Sequence, residues 1–219
     1  MQLHGIHHVT CITGDAPRNL DYYTGTLGLR LVKKTVNQDD PTIYHLFYAD
    51  EPLTAHHPEI PEEYSLRGFA GVRAYSSSPE RSNDFLEQLT FTRSDDVWES
   101  RGGRHGFYAY DAPEGRRGIP GAGTVHHVAW SVPLDEHPAW VQKAADAGAR
   151  PTQVIDRFWF RSIYFREPSG VLFEIASLGP GFTLDEEPEH LGERLILPPR
   201  FEPLRAEIEP KLTPLPVPG

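Results

Sequence analysis

Two near-identical stretches, Gly5-Ile6-His7-His8-Val9-Thr10 and Thr124-Val125-His126-His127-Val128-Ala129, decide how this chain is organised. Each places a pair of histidines in a short apolar run that contains β-branched residues, which predicts a strand. A third such run, Val171-Leu172-Phe173-Glu174-Ile175, carries a single carboxylate. The sequence therefore predicts two imidazole pairs and one carboxylate on three rigid strands.

His8, His127 and Glu174 form a candidate metal-binding set. Two imidazoles and one carboxylate can bind a divalent metal on one face and leave the other face open, as in non-haem Fe(II) oxygen chemistry. Strand alternation places His8 on the face of Thr10, whereas His7 and His126 point elsewhere unless the strands are bulged. Two ordinary alternatives stay open: histidines with a purely structural role, and a buried ion pair of Glu174 with an arginine.

The His-His strands belong to a repeat. Gly68-Phe69-Ala70-Gly71-Val72 aligns with them, with Ala70-Gly71 in place of the histidines. The three strands begin at roughly 60-residue intervals, and each is followed by a predicted helix and further strands. One continuous strand is predicted from Phe91 to Glu99. Only the last copy of the unit is predicted to be complete, and the first stops after Leu46 to Asp50 without a fourth apolar strand. We predict four divisions. Residues 1–55 form a truncated βαββ module with the first metal histidine, and residues 56–120 form a middle βαβ-type module without ligands. Residues 121–180 form a complete βαβββ module with the second histidine and Glu174, and residues 181–219 form a tail that wraps the surface.

Composition and charge restrict the function classes. The chain has 219 residues, a net charge of −10 and no basic run, which argues against a nucleic-acid partner. No apolar run is long enough to span a membrane, and the N-terminal residues lack the features of a secretion signal. A single cysteine, Cys11, excludes an intramolecular disulfide. We therefore expect a cytoplasmic protein without a membrane partner.

The sequence resembles ring-cleaving hydroquinone dioxygenases of the vicinal oxygen chelate (glyoxalase/bleomycin-resistance/extradiol dioxygenase) superfamily. Besides the first His-His run, the resemblance rests on two long stretches, Leu27 to Asn37 and Arg161 to Glu174, and extends over the tail from Gly192 to Leu212. It implies an α+β fold of repeated βαβββ modules paired into a half-barrel, and an Fe(II) centre with Mn(II) as the alternative metal. Relative to the family, we expect the end of module one and all of module two to be missing and module three, the middle module of this chain, to be trimmed.

The resemblance also implies residue roles. The second histidine of each pair and the late-strand glutamate, His8, His127 and Glu174, would be the metal ligands. The pocket positions of the family fall on His7, Thr10, His126, Arg157 and Tyr164.

We predict catalytic roles for three of the surrounding residues. Tyr164 and His7 would handle protons, and Arg157 would stabilise negative charge. Thr10, His126 and Trp159 are predicted to contact the substrate. The alternatives are a core aromatic for Tyr164 and a carboxylate salt bridge for Arg157.

The predicted reaction is Fe(II)-dependent extradiol-type ring cleavage of a small hydroquinone- or catechol-like aromatic with dioxygen. One rival is a metal-dependent glyoxalase-like isomerase or lyase, which would need a fourth ligand such as His57. The other is a non-catalytic bleomycin-resistance-type binding protein. Because the middle module has no predicted partner in the chain, it would leave an exposed sheet edge and apolar face, which predicts a homodimer.

Overall fold

The computed structural model describes residues 1–49, 61–64, 66, 68–115 and 118–216. The candidate fourth ligand His57 lies outside these residues. The chain divides into two compact units, of which the first comprises residues 1–12 and 69–181 and the second residues 13–68 and 182–219. None of the described helices has the length and apolar character needed to cross a membrane.

Short strands dominate the secondary structure. In chain order they are β1 (Ile6–Cys11), β2 (Arg30–Val36), β3 (Tyr44–Ala49), β4 (Gly71–Tyr75), β5 (Thr92–Ser94), β6 (Val97–Ser100), β7 (Gly106–Asp111), β8 (Val125–Pro133), β9 (Ile155–Asp156), β10 (Arg161–Arg166) and β11 (Leu172–Leu178). The α-helices are α1 (Ala16–Asp21), α2 (Asn83–Gln88), α3 (Ala139–Asp146) and α4 (Arg205–Ile208). A π-helical turn (Tyr22–Thr26) follows α1, and short 3-10 turns occupy Glu62–Tyr64, Pro79–Ser82, Phe182–Leu184, Pro188–His190, Glu202–Leu204 and Glu209–Lys211.

A five-stranded sheet in the first unit carries all three candidate ligands. Its strand order is β1-β8-β11-β10-β9. Strands β8 and β11 run parallel, and β1 lies antiparallel to β8. The segment from β8 through α3 to β11 is thus a complete βαβββ module whose first strand is extended by β1. This arrangement confirms the predicted α+β fold class of βαβββ modules, with β1 and β8 as the joining strands.

The middle module has the same topology as the last one. Its sheet order is β4-β7-β6-β5, with β4 and β7 parallel. The prediction of a single strand from Phe91 to Glu99 was wrong, because the chain reverses at Asp95, which has a φ of +51°. Strands β5 and β6 therefore form a hairpin, and the middle module is a complete βαβββ unit rather than a βαβ one. The four predicted domain ranges themselves stay predictions.

The middle and last modules share one hydrophobic core. Tyr108 of β7 lies against Trp130 of β8 and Phe173 of β11, with ring centroids 6.3 and 5.0 Å away. Phe91 contacts Trp130 edge to face at 4.8 Å. The reason given above for a homodimer was therefore partly wrong, because the apolar face of the middle module is covered within the same chain. The homodimer itself stays a prediction.

The second unit combines a small sheet with the C-terminal tail. Strands β2 and β3 form a two-stranded antiparallel sheet. Asp15 caps helix α1, because its carboxylate accepts a hydrogen bond from the backbone N–H of Arg18 at 3.0 Å. Lys33 of β2 is fully buried and its ammonium is paired with Asp185 and Glu186 of the tail. This ion pair ties the tail to β2.

Candidate metal centre

Three ligand atoms from three strands converge in the first unit. The Nε2 atoms of His8 on β1 and His127 on β8 are 3.2 Å apart. One oxygen of Glu174 on β11, Oε2, lies 3.3 Å from His8 Nε2 and 2.8 Å from His127 Nε2. This is also the one group of His, Cys, Asp or Glu side chains within the described ranges with the spacing of a metal site.

Two β-bulges explain how both histidines of each pair reach the site. In the β1–β8 ladder Ile6 faces Trp130 and His8 faces Ala129, so His7 is the extra residue on β1. Further along, Thr10 faces His127 and Cys11 faces Val125, so His126 is the extra residue on β8. A bulge breaks strict alternation and can turn a side chain toward a site.

The bulge residues hydrogen-bond to the candidate ligands. His7 Nδ1 lies 2.8 Å from His8 Nδ1, and His126 Nδ1 lies 2.7 Å from His127 Nδ1. The rings of the two pairs have the same arrangement, with centroids 5.1 Å apart and planes at 78° and 77°. A ligand imidazole with its lone pair on Nε2 carries its proton on Nδ1. If His8 and His127 bind a metal through Nε2, His7 and His126 would be the acceptors that hold them in this tautomer.

Glu174 is fully buried, and its two oxygens have different surroundings. Oε1 accepts a hydrogen bond from the hydroxyl of Ser162 at 2.5 Å, whereas Oε2 lacks a partner with hydrogen-bond geometry. Burial alone would raise the pKa of this carboxyl, but His8 and His127 outweigh it and hold the pKa well below its usual range. A buried carboxylate oxygen that accepts no hydrogen bond needs a positive charge beside it, which suits Oε2 and the two facing imidazoles to a shared cation.

The donor set fits a divalent metal. Donor atoms about 2.1 Å from one ion lie roughly 3.0 Å apart at right angles and roughly 3.4 Å apart in a tetrahedron. Two of the observed separations, 3.2 and 3.3 Å, fall within this range, and the third, 2.8 Å, is slightly shorter. Burial also lowers the pKa of His127, which favours the neutral form that a metal needs. The residues present could hold a metal ion, and the spacing does not select which one.

Tyr164 and Arg157 lie next to the ligand set. Tyr164 directly faces Glu174 across the β10–β11 hairpin, closer than its sequence position alone requires. Its ring meets the ring of His127 edge to face at 5.6 Å, and the guanidinium of Arg157 lies over it at 5.6 Å. Burial and the charge of Glu174 raise the pKa of Tyr164 to about 12, so its phenol is protonated at neutral pH. The pair therefore offers one O–H donor and one fixed positive charge.

The turn from β9 to β10 places an aromatic ring beside the site. The N–H of Arg157 donates to the carbonyl of Phe160 at 2.9 Å, and Phe158 has a φ of +73°. The ring of Phe160 lies 5.4 Å from His7 and 5.7 Å from His8. It forms an apolar wall beside the two histidines of β1.

The predicted substrate contacts differ in their surroundings. Thr10 is half-buried and faces His127 directly across the ladder. His126 is exposed at the start of β8. Trp159 is only 1% exposed, and its ring contacts Phe158 at 5.4 Å, so its predicted contact with substrate has the weakest structural support.

Sequence reasoning missed Ser162, which donates to Glu174. The signal was available, because Ser162 lies two residues before Tyr164 and strand alternation puts both on the same face.

His7 has a pKa lowered to about 3, by burial first and by the adjacent His8 second. It is therefore neutral at any ordinary pH.

Comparisons of sequence and of structure with known proteins point to the same group of relatives. The model of the Glyoxalase/Bleomycin resistance protein/Dioxygenase superfamily matches residues 5–175. "Putative ring-cleaving dioxygenase MhqO" of Bacillus subtilis is 32% identical, over 97% of this chain and 97% of its own length. "Chlorohydroquinone/hydroquinone 1,2-dioxygenase" of Sphingobium indicum is 26% identical, over 94% and 95% of the two chains. A crystal structure of a putative dioxygenase from Bacillus subtilis superposes with a TM-score of 0.87 at 30% identity and covers 99% of this chain and 98% of that one.

The relatives are longer than this chain. The alignment with the MhqO protein runs over 310 positions, whereas this chain has 219 residues, so the relative contains internal residues without a counterpart here. That agrees with the prediction that a module is missing. With a family model that spans both His-His strands and Glu174, and a relative aligned almost from end to end, the chain belongs to the glyoxalase/bleomycin resistance protein/dioxygenase superfamily.

Proposed function

We propose that this protein is an Fe(II)-dependent ring-cleaving dioxygenase of small hydroquinone- or catechol-like aromatics. The observation that carries the proposal is the convergence of His8 Nε2, His127 Nε2 and one buried oxygen of Glu174 on one point. The relatives named for ring cleavage, one of them for hydroquinone and chlorohydroquinone, support the substrate class.

His8, His127 and Glu174 are the proposed metal ligands. Three protein ligands suit Fe(II), or Mn(II) as the alternative, better than zinc, which prefers four-coordinate sites with one open position. The bound metal would supply the redox chemistry that joins dioxygen to an electron-rich ring. Ser162 keeps Glu174 oriented, and His7 and His126 keep both imidazoles in the required tautomer.

Arg157 and Tyr164 are the proposed substrate-facing residues. The fixed positive charge of Arg157 would attract and orient a phenolate-like aromatic. The phenol of Tyr164 carries a proton at neutral pH and would donate it, or a hydrogen bond, from Oη to a substrate oxygen. The ring of Phe160 would pack on the aromatic substrate, and Thr10, which faces His127 across the ladder, would contact it from β1.

The structure changes the role that we assign to His7. Its Nδ1 is occupied by His8, and its low pKa makes it a poor proton carrier. We therefore propose that His7 positions His8, and that the phenol of Tyr164, which stays protonated at neutral pH, is the hydrogen-bond donor to the substrate oxygen. His126 holds His127 in the equivalent way, and its exposed ring leaves the predicted substrate contact available.

Oxygen uptake tests the proposed function. Protein loaded anaerobically with Fe(II) would be offered hydroquinone, chlorohydroquinone and catechol in an oxygen electrode, with His8→Ala as the inactive variant. His105→Ala is the matched control, because His105 is exposed and is not part of the ligand group. We expect uptake that requires iron and His8 but not His105. Tight iron binding without uptake on any of the three compounds would contradict the proposal and favour the isomerase or lyase alternative.

A further inference from the structure

We propose that strand β4 pairs antiparallel with β4 of a second copy of this chain, about a two-fold axis at Val72. The inference concerns the middle module and is independent of the proposed activity. It rests on a pairing that the chain already makes once, between the first strands of its other two modules.

The β1–β8 ladder is the internal example. These strands are the equivalent first strands of two repeats, and they pair antiparallel with Val9 opposite Val128. Val9 and Val128 occupy the same place in the two His-His-Val stretches, so a local two-fold relation passes between them. In the middle module the aligned stretch is Gly68-Phe69-Ala70-Gly71-Val72, and the equivalent residue is Val72.

Strand β4 has no first strand of another module beside it within the part of the chain that the structure describes. It is an edge strand whose neighbour in the sheet is β7. The carbonyl of Ala70 accepts from Phe107, and the N–H of Ser76 donates to Asp111. Because bonding direction alternates along a strand, Val72 and Ala74 also bond toward β7. The backbone groups of Gly71, Arg73 and Tyr75 therefore face the open edge.

The side chains support one register. A two-fold axis at Arg73 would place the two Arg73 side chains directly opposite each other, which is unfavourable. An axis at Val72 instead places Arg73 opposite Gly71 of the second copy. It also places Tyr75, which is 67% exposed, opposite the 58% exposed Phe69. Each Tyr75 would therefore cover Phe69 of the second copy, and two such contacts would form in the dimer.

A second copy is the occupant that fits the edge. The relatives carry additional internal residues, enough for a module such as the one from β4 to β7. This chain lacks them, and the residues that the structure describes place no other strand at this edge. An identical strand has the matching length, faces and register, and pairing two such edges satisfies the outward backbone groups of both copies.

The first experiment compares solution masses by sedimentation velocity on the full chain at micromolar concentration. We expect twice the 24.7 kDa chain mass for the unmodified protein. Arg73→Pro should give the single-chain mass, because proline removes an outward N–H and leaves the bonds to β7 intact. Arg73→Ala is the matched control, since it removes the same ion pair with Asp111 and keeps the N–H, and it should stay dimeric.

A disulfide tests the register. In a Cys11→Ser background, Val72→Cys should form a covalent dimer with oxidised glutathione, because the two residues at the axis form a non-hydrogen-bonded pair with Cα atoms about 4.5 Å apart. Ala74→Cys should not, because its two copies lie roughly 13 Å apart in this register. A monomeric unmodified protein, a dimeric Arg73→Pro variant with wild-type circular dichroism, or cross-linking through Ala74→Cys rather than Val72→Cys would each overturn the proposal.

Discussion

Replacing Ser162 by alanine tests whether the candidate metal centre depends on its supporting hydrogen bond. The hydroxyl of Ser162 donates to Glu174 Oε1 at 2.5 Å, and both side chains are fully buried. No bulk water can replace the lost donor, and a hydrogen bond to a charged group contributes about 1.5–3 kcal/mol. Without it the carboxylate can turn, and Oε2 no longer stays beside the two Nε2 atoms. We expect metal affinity to fall roughly 10- to 100-fold.

The assay is anaerobic Fe(II) titration against a competing chelator, with calorimetric Mn(II) binding as a second readout. Ser100→Ala is the matched control, because Ser100 is also fully buried and bonds only backbone groups of Leu3 and Gly5. If Ser162→Ala changes the affinity by less than about fivefold, or about 1 kcal/mol, the carboxylate is held without Ser162 and the reasoning fails. An equal loss in Ser100→Ala would show a general effect of destabilisation.

Two further predictions concern the surroundings of the site, and a third concerns a buried carboxylate elsewhere in the first unit. Tyr164→Phe should leave Fe(II) affinity unchanged, because the ring still packs on His127, and should lower kcat of ring cleavage by about 100-fold or more through loss of the phenol proton. For the metal-free protein, His7 has a folded-state pKa of about 3 against an ordinary 6.5, so the unfolded state binds more protons between these values. The free energy of unfolding should therefore fall as pH drops from 6.5 toward 5, by up to about 1.4 kcal/mol per pH unit from this group, as measured by urea titration with chelator present. Tyr110→Phe should destabilise the protein by about 1.5–3 kcal/mol in the same assay, because the buried carboxylate of Glu167 loses a hydrogen bond of 2.8 Å.

Each of these predictions has a clear contrary result. Wild-type kcat in Tyr164→Phe would remove the phenol from the mechanism. A stability that stays constant between pH 6.5 and 5, or a slope unchanged by His7→Gln, would show that His7 is not held neutral by the fold. A Tyr110→Phe variant as stable as the unmodified protein would show that the remaining donors, Ser82, Ser169 and Val171, satisfy Glu167 without the phenol.

The repeat could be recognised in the sequence because similar local patterns of residues form similar strands. The two His-His-Val stretches and Glu174 identified the candidate ligands, and the structure brings their side chains together. The β-branched runs predicted β1, β8 and β11 because strand formation depends on side chains that are near in sequence. The hairpin at Asp95 was missed because one residue with positive φ leaves little mark on the apolar pattern of its neighbours.

Only the tertiary structure decided how the strands face one another. Strand alternation alone directs the side chains of His7 and His126 away from the candidate site, whereas a bulge would turn them toward it. The β1–β8 ladder contains a bulge at each of these residues. The position of Tyr164 opposite Glu174, and the bond from Ser162, depend on hairpin register. The apolar face of the middle module is covered by side chains of the last module, so its burial depends on packing between segments far apart in the chain. Residue type and spacing thus determined which groups are available for chemistry, whereas register and packing, which are set by distant hydrogen bonds and contacts, decided which of them meet.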